Sequence, residues 1–137
     1  MKKLHFIAVV FIAALCVTAC GAGKMNIPQD MTPAELIQRA QEASDRNSYK
    51  AALQYYTALL ERNSTNIELV CAAEYEIAFI HYKQKKYNLA KEGFKSLLER
   101  YDAPDGDLLP PQFKRLSNIV LERINDKEKP LLKKMRN

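Results

Sequence analysis

IAFIHYKQKKYNLAKEGFKSLLERY, residues 77 to 101, holds two amphipathic segments separated by the polar run Gln84-Lys85-Lys86. Apolar residues recur three and four apart on either side of that run, which predicts two helices joined by a tight turn. Small residues, Ala78 and Ala90, stand where the helices must cross closely, and Phe94, Leu97 and Leu98 stand where they must be wedged. The stretch reads as a helical hairpin, with its first helix reaching back to about Ile67.

The same signature occurs upstream. Tyr49 matches Tyr87, Ala52 matches Ala90, Tyr56 matches Phe94, and Leu59-Leu60-Glu61-Arg62 matches Leu97-Leu98-Glu99-Arg100, every pair at one constant offset. Ala40 and Ala78 obey the same offset. A first hairpin is therefore predicted from about Pro33 to Asp45 and from Tyr49 to Asn63, broken at Arg46-Asn47-Ser48. Thr32 followed by Pro33 supplies an N-cap hydroxyl and a proline at the first helical position, with Glu35 in the first turn. Pro110-Pro111 opens a fifth helix whose apolar side is Phe113, Leu116, Ile119, Val120 and Ile124. One further step of the same offset from Ala78 lands on Leu116, too bulky for another close crossing, so this helix is expected to cap the stack.

Within each hairpin the small pair keeps one spacing, Ala40 to Ala52 and Ala78 to Ala90, with Tyr56 or Phe94 one helical turn after the second Ala. This pattern resembles the tetratricopeptide repeat. The resemblance spans roughly residues 33 to 124 and implies an all-α fold, antiparallel hairpins stacked as a short solenoid. The chain departs from the family pattern at Leu36 and Glu74, where an aromatic is usual, at Arg39, and at Ser64 and Asp102, where proline is usual. The resemblance also implies a concave face lined by the first helix of each hairpin. Carried over residue by residue, that face holds Tyr75, Phe79, Tyr82 and Lys83, with Ile37 and Gln41 in the first repeat, and Phe113 and Ser117 added by the fifth helix. Partner binding on this aromatic stripe is weighed against a role as packed core.

Residues 1 to 20, MKKLHFIAVVFIAALCVTAC, have a basic start and an apolar run from about Leu4 to Val17. That run is short of the roughly 20 residues of a spanning helix and has the flanks of an export signal. Val17-Thr18-Ala19-Cys20 resembles a bacterial lipobox, implying cleavage after residue 19 and acylation of Cys20. Several acyl chains hold a protein to a bilayer where one would not. An ordinary cleaved signal and an uncleaved anchor are the alternatives. Gly21 rather than Asp after the cysteine implies, in a diderm, the outer membrane. Residues 20–32 then form a lipidated tether without helical period, 33–126 the helical domain, and 127–137 a basic tail. Around Pro130, a short helix and a disordered tail both fit.

Composition agrees with a small helical protein: 47% hydrophobic, 27% charged, four glycines and no tryptophan in 137 residues. Formal charge is +5, or +3 once Lys2 and Lys3 leave with the leader, too mild a bias to argue for nucleic acid. No metal-ligand spacing, phosphate-cradling glycine loop or nucleophile signature is present, so neither an enzyme nor a cofactor is expected. His81 reads as a packed ring and Glu74 as a paired or snorkelling carboxylate. Cys71 reads as a small buried residue, with an intermolecular disulfide as its alternative. The functional expectation is a membrane-anchored adaptor for a protein partner, similar to the tetratricopeptide lipoproteins of outer-membrane assembly or secretion complexes. A periplasmic carrier of a small hydrophobic ligand, with the aromatic stripe as pocket wall, is the second reading.

Overall fold

The computed structural model describes residues 25–135, with side chains to residue 130; the leader and Cys20 lie outside the described residues. Among the described residues five α-helices follow one another: α1 (Pro33–Asp45), α2 (Tyr49–Arg62), α3 (Ile67–Lys83), α4 (Tyr87–Tyr101) and α5 (Pro111–Met135). One 3-10 turn, Gly106–Leu108, precedes α5, and no strand occurs among the described residues. The first four helices lie where the sequence predicts them, shifted at most by a single position at one end.

Local chemistry explains the starts and stops. The Glu35 amide donates to Thr32 Oγ1 at 3.3 Å, while the Thr32 amide donates to Glu35 Oε2 at 2.8 Å. This reciprocal capping box satisfies two N-terminal donors and holds the Glu35 carboxyl below its usual range. Asn66 caps α3 through the Leu69 amide. The two hairpin turns are the same device used twice, one repeat period apart. Asn47 and Lys85 both adopt left-handed backbone, with φ of 58° and 60°. The amide that follows each bonds back to a carbonyl of the preceding helix, Ser48 to Ala43 and Lys86 to His81.

Packing repeats with the same period. Ala40 and Ala52 in the first hairpin, and Ala78 and Ala90 in the second, are all fully buried. Tyr56 and Phe94, then Leu59 and Leu97, fill equivalent places in two adjoining apolar clusters. Gly93 tightens the second hairpin further, since a Cβ there would lie 2.9 Å from the Ala78 Cβ. The stack of helix pairs is closed by α5, which runs antiparallel to α4. The Tyr101 hydroxyl donates to the Pro110 carbonyl at 2.7 Å at one end, and Lys91 pairs with Glu128 at 2.9 Å at the other. The small residue that admits α5 is Ser117, fully buried, one position beyond the Leu116 that the repeat period picks out.

Glu74, at a site the repeat pattern leaves apolar, is paired: Arg100 donates through Nε at 2.8 Å and Nη2 at 2.7 Å. The fork ties α3 to α4 in a geometry that lends direction as well as energy.

Two boundaries differ from the sequence reading. The segment read as a free tether is fastened over its second half. Met25 donates its amide to Gln54 Oε1 at 2.7 Å, and Arg62 donates to the carbonyls of Pro28 and Ile27. Ile27 and Met31 pack on the first-hairpin core, so residues 25–31 form a strap that runs alongside α2 in the same direction. The apolar α2 side facing away from the stack needs cover, and these two side chains supply it. At the other end, α5 continues through Pro130 to Met135 instead of ending near residue 126. Strong helix formers flank the proline on both sides, and the Lys91–Glu128 pair holds the turn before it.

Lys85 has a Cβ in a conformation that costs a non-glycine residue roughly 1–2 kcal/mol. Lys85→Gly is therefore expected to raise unfolding stability by about 1 kcal/mol, read as a higher denaturant midpoint with unchanged slope. Ala78→Leu, forcing a large side chain between α3 and α4, should lower it by about 2 kcal/mol or more.

Candidate functional site

The sequence places Tyr75, Phe79 and Tyr82 on one stripe of α3 because residues three and four apart share a helical face. The structure joins them into a continuous aromatic row. Tyr75 and Phe79 stack with centroids 5.8 Å apart, and Phe79 and Tyr82 stack at 5.7 Å. Tyr87, from the start of α4, extends the row past Tyr82 at 6.0 Å, and Phe113, from α5, extends it past Tyr75 at 5.7 Å. Three helices thus contribute five rings.

The row is not uniformly open. Tyr75 is only 8% exposed, wedged between Phe94 and Phe113, which removes it from the face expected to meet a partner. The cause is α5, which seats Phe113 over the Tyr75 end of the stripe. Ser117, expected to line the same face, is fully buried beneath α5. Phe79, Tyr82, Tyr87 and Phe113 remain half-buried, each with one side on the second-hairpin core. Burial pushes the Tyr75 hydroxyl above its ordinary value, with the Glu76 charge acting the same way.

Lys83 closes the row toward the first hairpin. Its ammonium donates to Ser44 Oγ at 2.8 Å and lies 5.7 Å from the Tyr49 ring centroid and 5.9 Å from that of Phe79. Expected to be an outward contact, it is instead the tie between α1 and α3, held by one hydrogen bond and two ring faces. Gln41 is exposed one turn before Ser44, while Ile37 is half-buried against the first-hairpin core. Ala40, Ala52, Tyr56, Ala78, Ala90 and Phe94, matched between the two hairpins, are all in the core.

Glu76 is a feature that sequence reasoning missed. It is half-buried on α3, and loss of water raises its carboxyl above the ordinary value, with Lys83 pulling it back. A Glu two residues from another on the same helix reads as solvated in sequence, so only its burial in the fold reveals it. Tyr87 was legible as a repeat position but not as a member of the row, because it arrives from another helix.

Cys71 is fully buried, and burial raises its thiol, with Glu74 adding to the effect. The neighbouring Tyr101 hydroxyl is pushed up to about 12, chiefly by burial. An intermolecular disulfide through Cys71 would require α3 to leave the core. His81 is half-buried with Nδ1 lacking a hydrogen-bond partner. Among the described residues no three His, Cys, Asp or Glu side chains come together as a metal site, and no helix is long and apolar enough to cross a membrane. An open cavity of about 690 Å³ lies between the strap and α2, lined by Ile27, Leu53, Gln54, Thr57 and Arg62, and does not involve the aromatic row.

No protein-family model matches the chain, and no solved structure matches it. It is similar to a protein of Treponema pallidum (strain Nichols) described as an uncharacterized protein, 33% identical over 124 residues. The match covers 90% of this chain and 50% of the relative, so this chain spans about half the relative's length. That printed description carries no activity.

Because the Glu76 carboxyl is raised in the folded protein, folding favours its protonated form. Its contribution to stability is fully present below the ordinary value of 4.5 and is lost as pH rises through the raised value. Thermal unfolding of Glu76→Gln should show a smaller decline in Tm between pH 4.5 and 7 than the native chain, and a higher Tm at pH 7. Phe94→Ala should cost about 3–5 kcal/mol, whereas Phe79→Ala, losing a half-buried ring, should cost much less.

Proposed function

We propose that this chain is a lipid-anchored envelope protein whose stacked hairpins form a short tetratricopeptide-like array, and that it acts as an adaptor for a protein partner. The observation that carries this reading is the open part of the aromatic row, Phe79 and Tyr82 with Tyr87 beside them. These rings are packed on one side and offered on the other. Half-buried aromatics are held rigid by their own core, so they present large contact area with little side-chain entropy left to lose. The partner contact is smaller than the sequence alone implies, because Tyr75 and Ser117 are withdrawn from it and Lys83 is engaged within the chain. Exposed Gln41 on α1 supplies a polar margin. An extended peptide or a single helix of the partner suits a face of this width.

The lipid attachment rests on the Val17-Thr18-Ala19-Cys20 sequence, and the outer membrane of a diderm is the location favoured by Gly21. The carrier reading draws less support, since the cavity of about 690 Å³ lies under the strap and away from the row.

Two measurements test the proposal. Cells fed a labelled fatty acid should incorporate it into the native chain and not into Cys20→Ser; label absent from the first or retained by the second removes the anchor. Crosslinking in intact cells followed by capture should recover a specific membrane-protein complex with the native chain, and at least about tenfold less with Phe79→Ala/Tyr82→Ala, a loss of roughly 1.4 kcal/mol. Equal capture by two folded proteins removes the row as the binding face.

A further inference from the structure

We propose that the end of the stack carrying the hairpin turns is a basic pole that rests against an anionic membrane surface, with the opposite, acidic pole directed away from it. The placement in the envelope rests on the anchored reading above; the charge division does not.

The helix directions create the two ends. The C-termini of α1 and α3, the N-termini of α2 and α4 and the last turns of α5 all lie together, as the Lys83–Ser44 and Lys91–Glu128 contacts require. Residues 42–50, 83–91 and 126–130 at that end hold eight basic and four acidic side chains. The other end, residues 30–35, 61–68, 99–107 and 111–115, holds eight acidic and four basic ones. Formal charge of +5 for the whole sequence gives no hint of two opposite poles.

At the basic end the free charges are the ones on the surface. Arg46, Lys50, Lys85, Lys86 and Lys127 are exposed and make no ion pair among the described residues. Leu89, 47% exposed, stands in the first turn of α4 among them. An exposed apolar residue beside the unpaired Lys85 and Lys86, with Glu128 at the margin, matches an interface of anionic headgroups over acyl chains better than it matches water alone. The backbone of α5 then continues from the same end across a segment containing Lys133 and Lys134.

The chain's entry point selects the membrane over other anions. Met25 is fixed beside this end, bonded to Gln54 and adjoining Asn47, Lys50 and Gln84. Because the strap fastens residues 25–31, Cys20 stands only five residues before the fixed Met25, a contour of at most about 18 Å. The longer tether of the sequence reading, free as far as Met31, allowed about twice that. A lipid on Cys20 would keep the basic pole near the bilayer, where each added lysine or arginine strengthens binding to anionic lipid and the attraction fades within about 8–10 Å in salt.

The processed full-length protein, isolated from its envelope, is reconstituted in vesicles of phosphatidylcholine alone or with a minority of phosphatidylglycerol, each containing a headgroup quencher. A fluorophore is placed through Asn88→Cys at the basic pole or Thr65→Cys at the acidic pole; buried Cys71 stays unlabelled. The expected result is quenching several-fold stronger at 88 than at 65 in the anionic vesicles, reduced to near equality by Lys50→Glu/Lys85→Glu/Lys86→Glu or by salt well above the physiological level. Equal quenching at both positions of an acylated protein, or no response to lipid charge, overturns the pole and leaves the anchor standing. Mass spectrometry of Cys20 reads the anchor separately. An unacylated protein that floats with anionic but not neutral vesicles supports the pole and removes the anchor, and one that floats with neither overturns both. Binding of duplex DNA or RNA through the same three lysines at physiological salt, without preference for anionic vesicles, assigns the pole to nucleic acid and overturns the proposal.

Discussion

Everything in this stack depends on how closely two helix backbones can approach at Ala40 and Ala52, and again at Ala78 and Ala90. All four are fully buried. With methyl groups at the crossing, the helices sit near enough for Tyr56 and Phe94 to reach across and fill the wedge that opens beside it. Larger side chains would push the helices apart and leave those rings in a gap, losing contacts that fall off steeply with distance. Gly93, with no Cβ at all, and Ser117, the smallest residue on the buried side of α5, extend the same constraint to the second hairpin and its cap.

Because the constraint is carried by residue size at fixed spacing, it is legible in sequence. The internal match located both hairpins, and the turn residues Asn47 and Lys85 proved to share one backbone conformation although they share no chemistry. Less legible was anything that depends on a helix arriving from elsewhere. Tyr75 sits on the same stripe as Phe79, and spacing alone gives the two the same role. Only the position of α5, which brings Phe113 onto Tyr75, separates a buried ring from a half-open one. Period counting lands on Leu116, too bulky for a close crossing, and the small residue buried under α5 is its neighbour Ser117, an offset that the irregular loop between residues 102 and 110 permits. The strap escaped for a different reason. GAGKMNIPQDM has no period to detect, and its attachment rests on backbone carbonyls accepting from Arg62, which no residue pattern announces.

The same distinction runs through the charged residues. Arg100 and Glu74 are far apart in sequence and form a forked pair, Lys83 spends its donor on Ser44, and Lys91 on Glu128. Those ties remove charges that a reading of helix faces would leave to solvent. What remains unpaired is sorted by the up-and-down path of the chain, since each hairpin turn brings its lysines to one end and each inter-repeat loop brings its acids to the other.

The strap has a mechanical meaning as well. It lies alongside α2 and runs in the same direction, so a pull on the chain from the N-terminal side is directed along the helix axis. Such a load slides the strap lengthwise, stressing the Gln54 bond, the two Arg62 bonds and the Ile27 and Met31 contacts together. A segment crossing α2 at right angles would be peeled off one contact at a time. The attachment is built to resist shear, so tension entering through residue 25 is spread along the length of α2 before it reaches the first turn of α1.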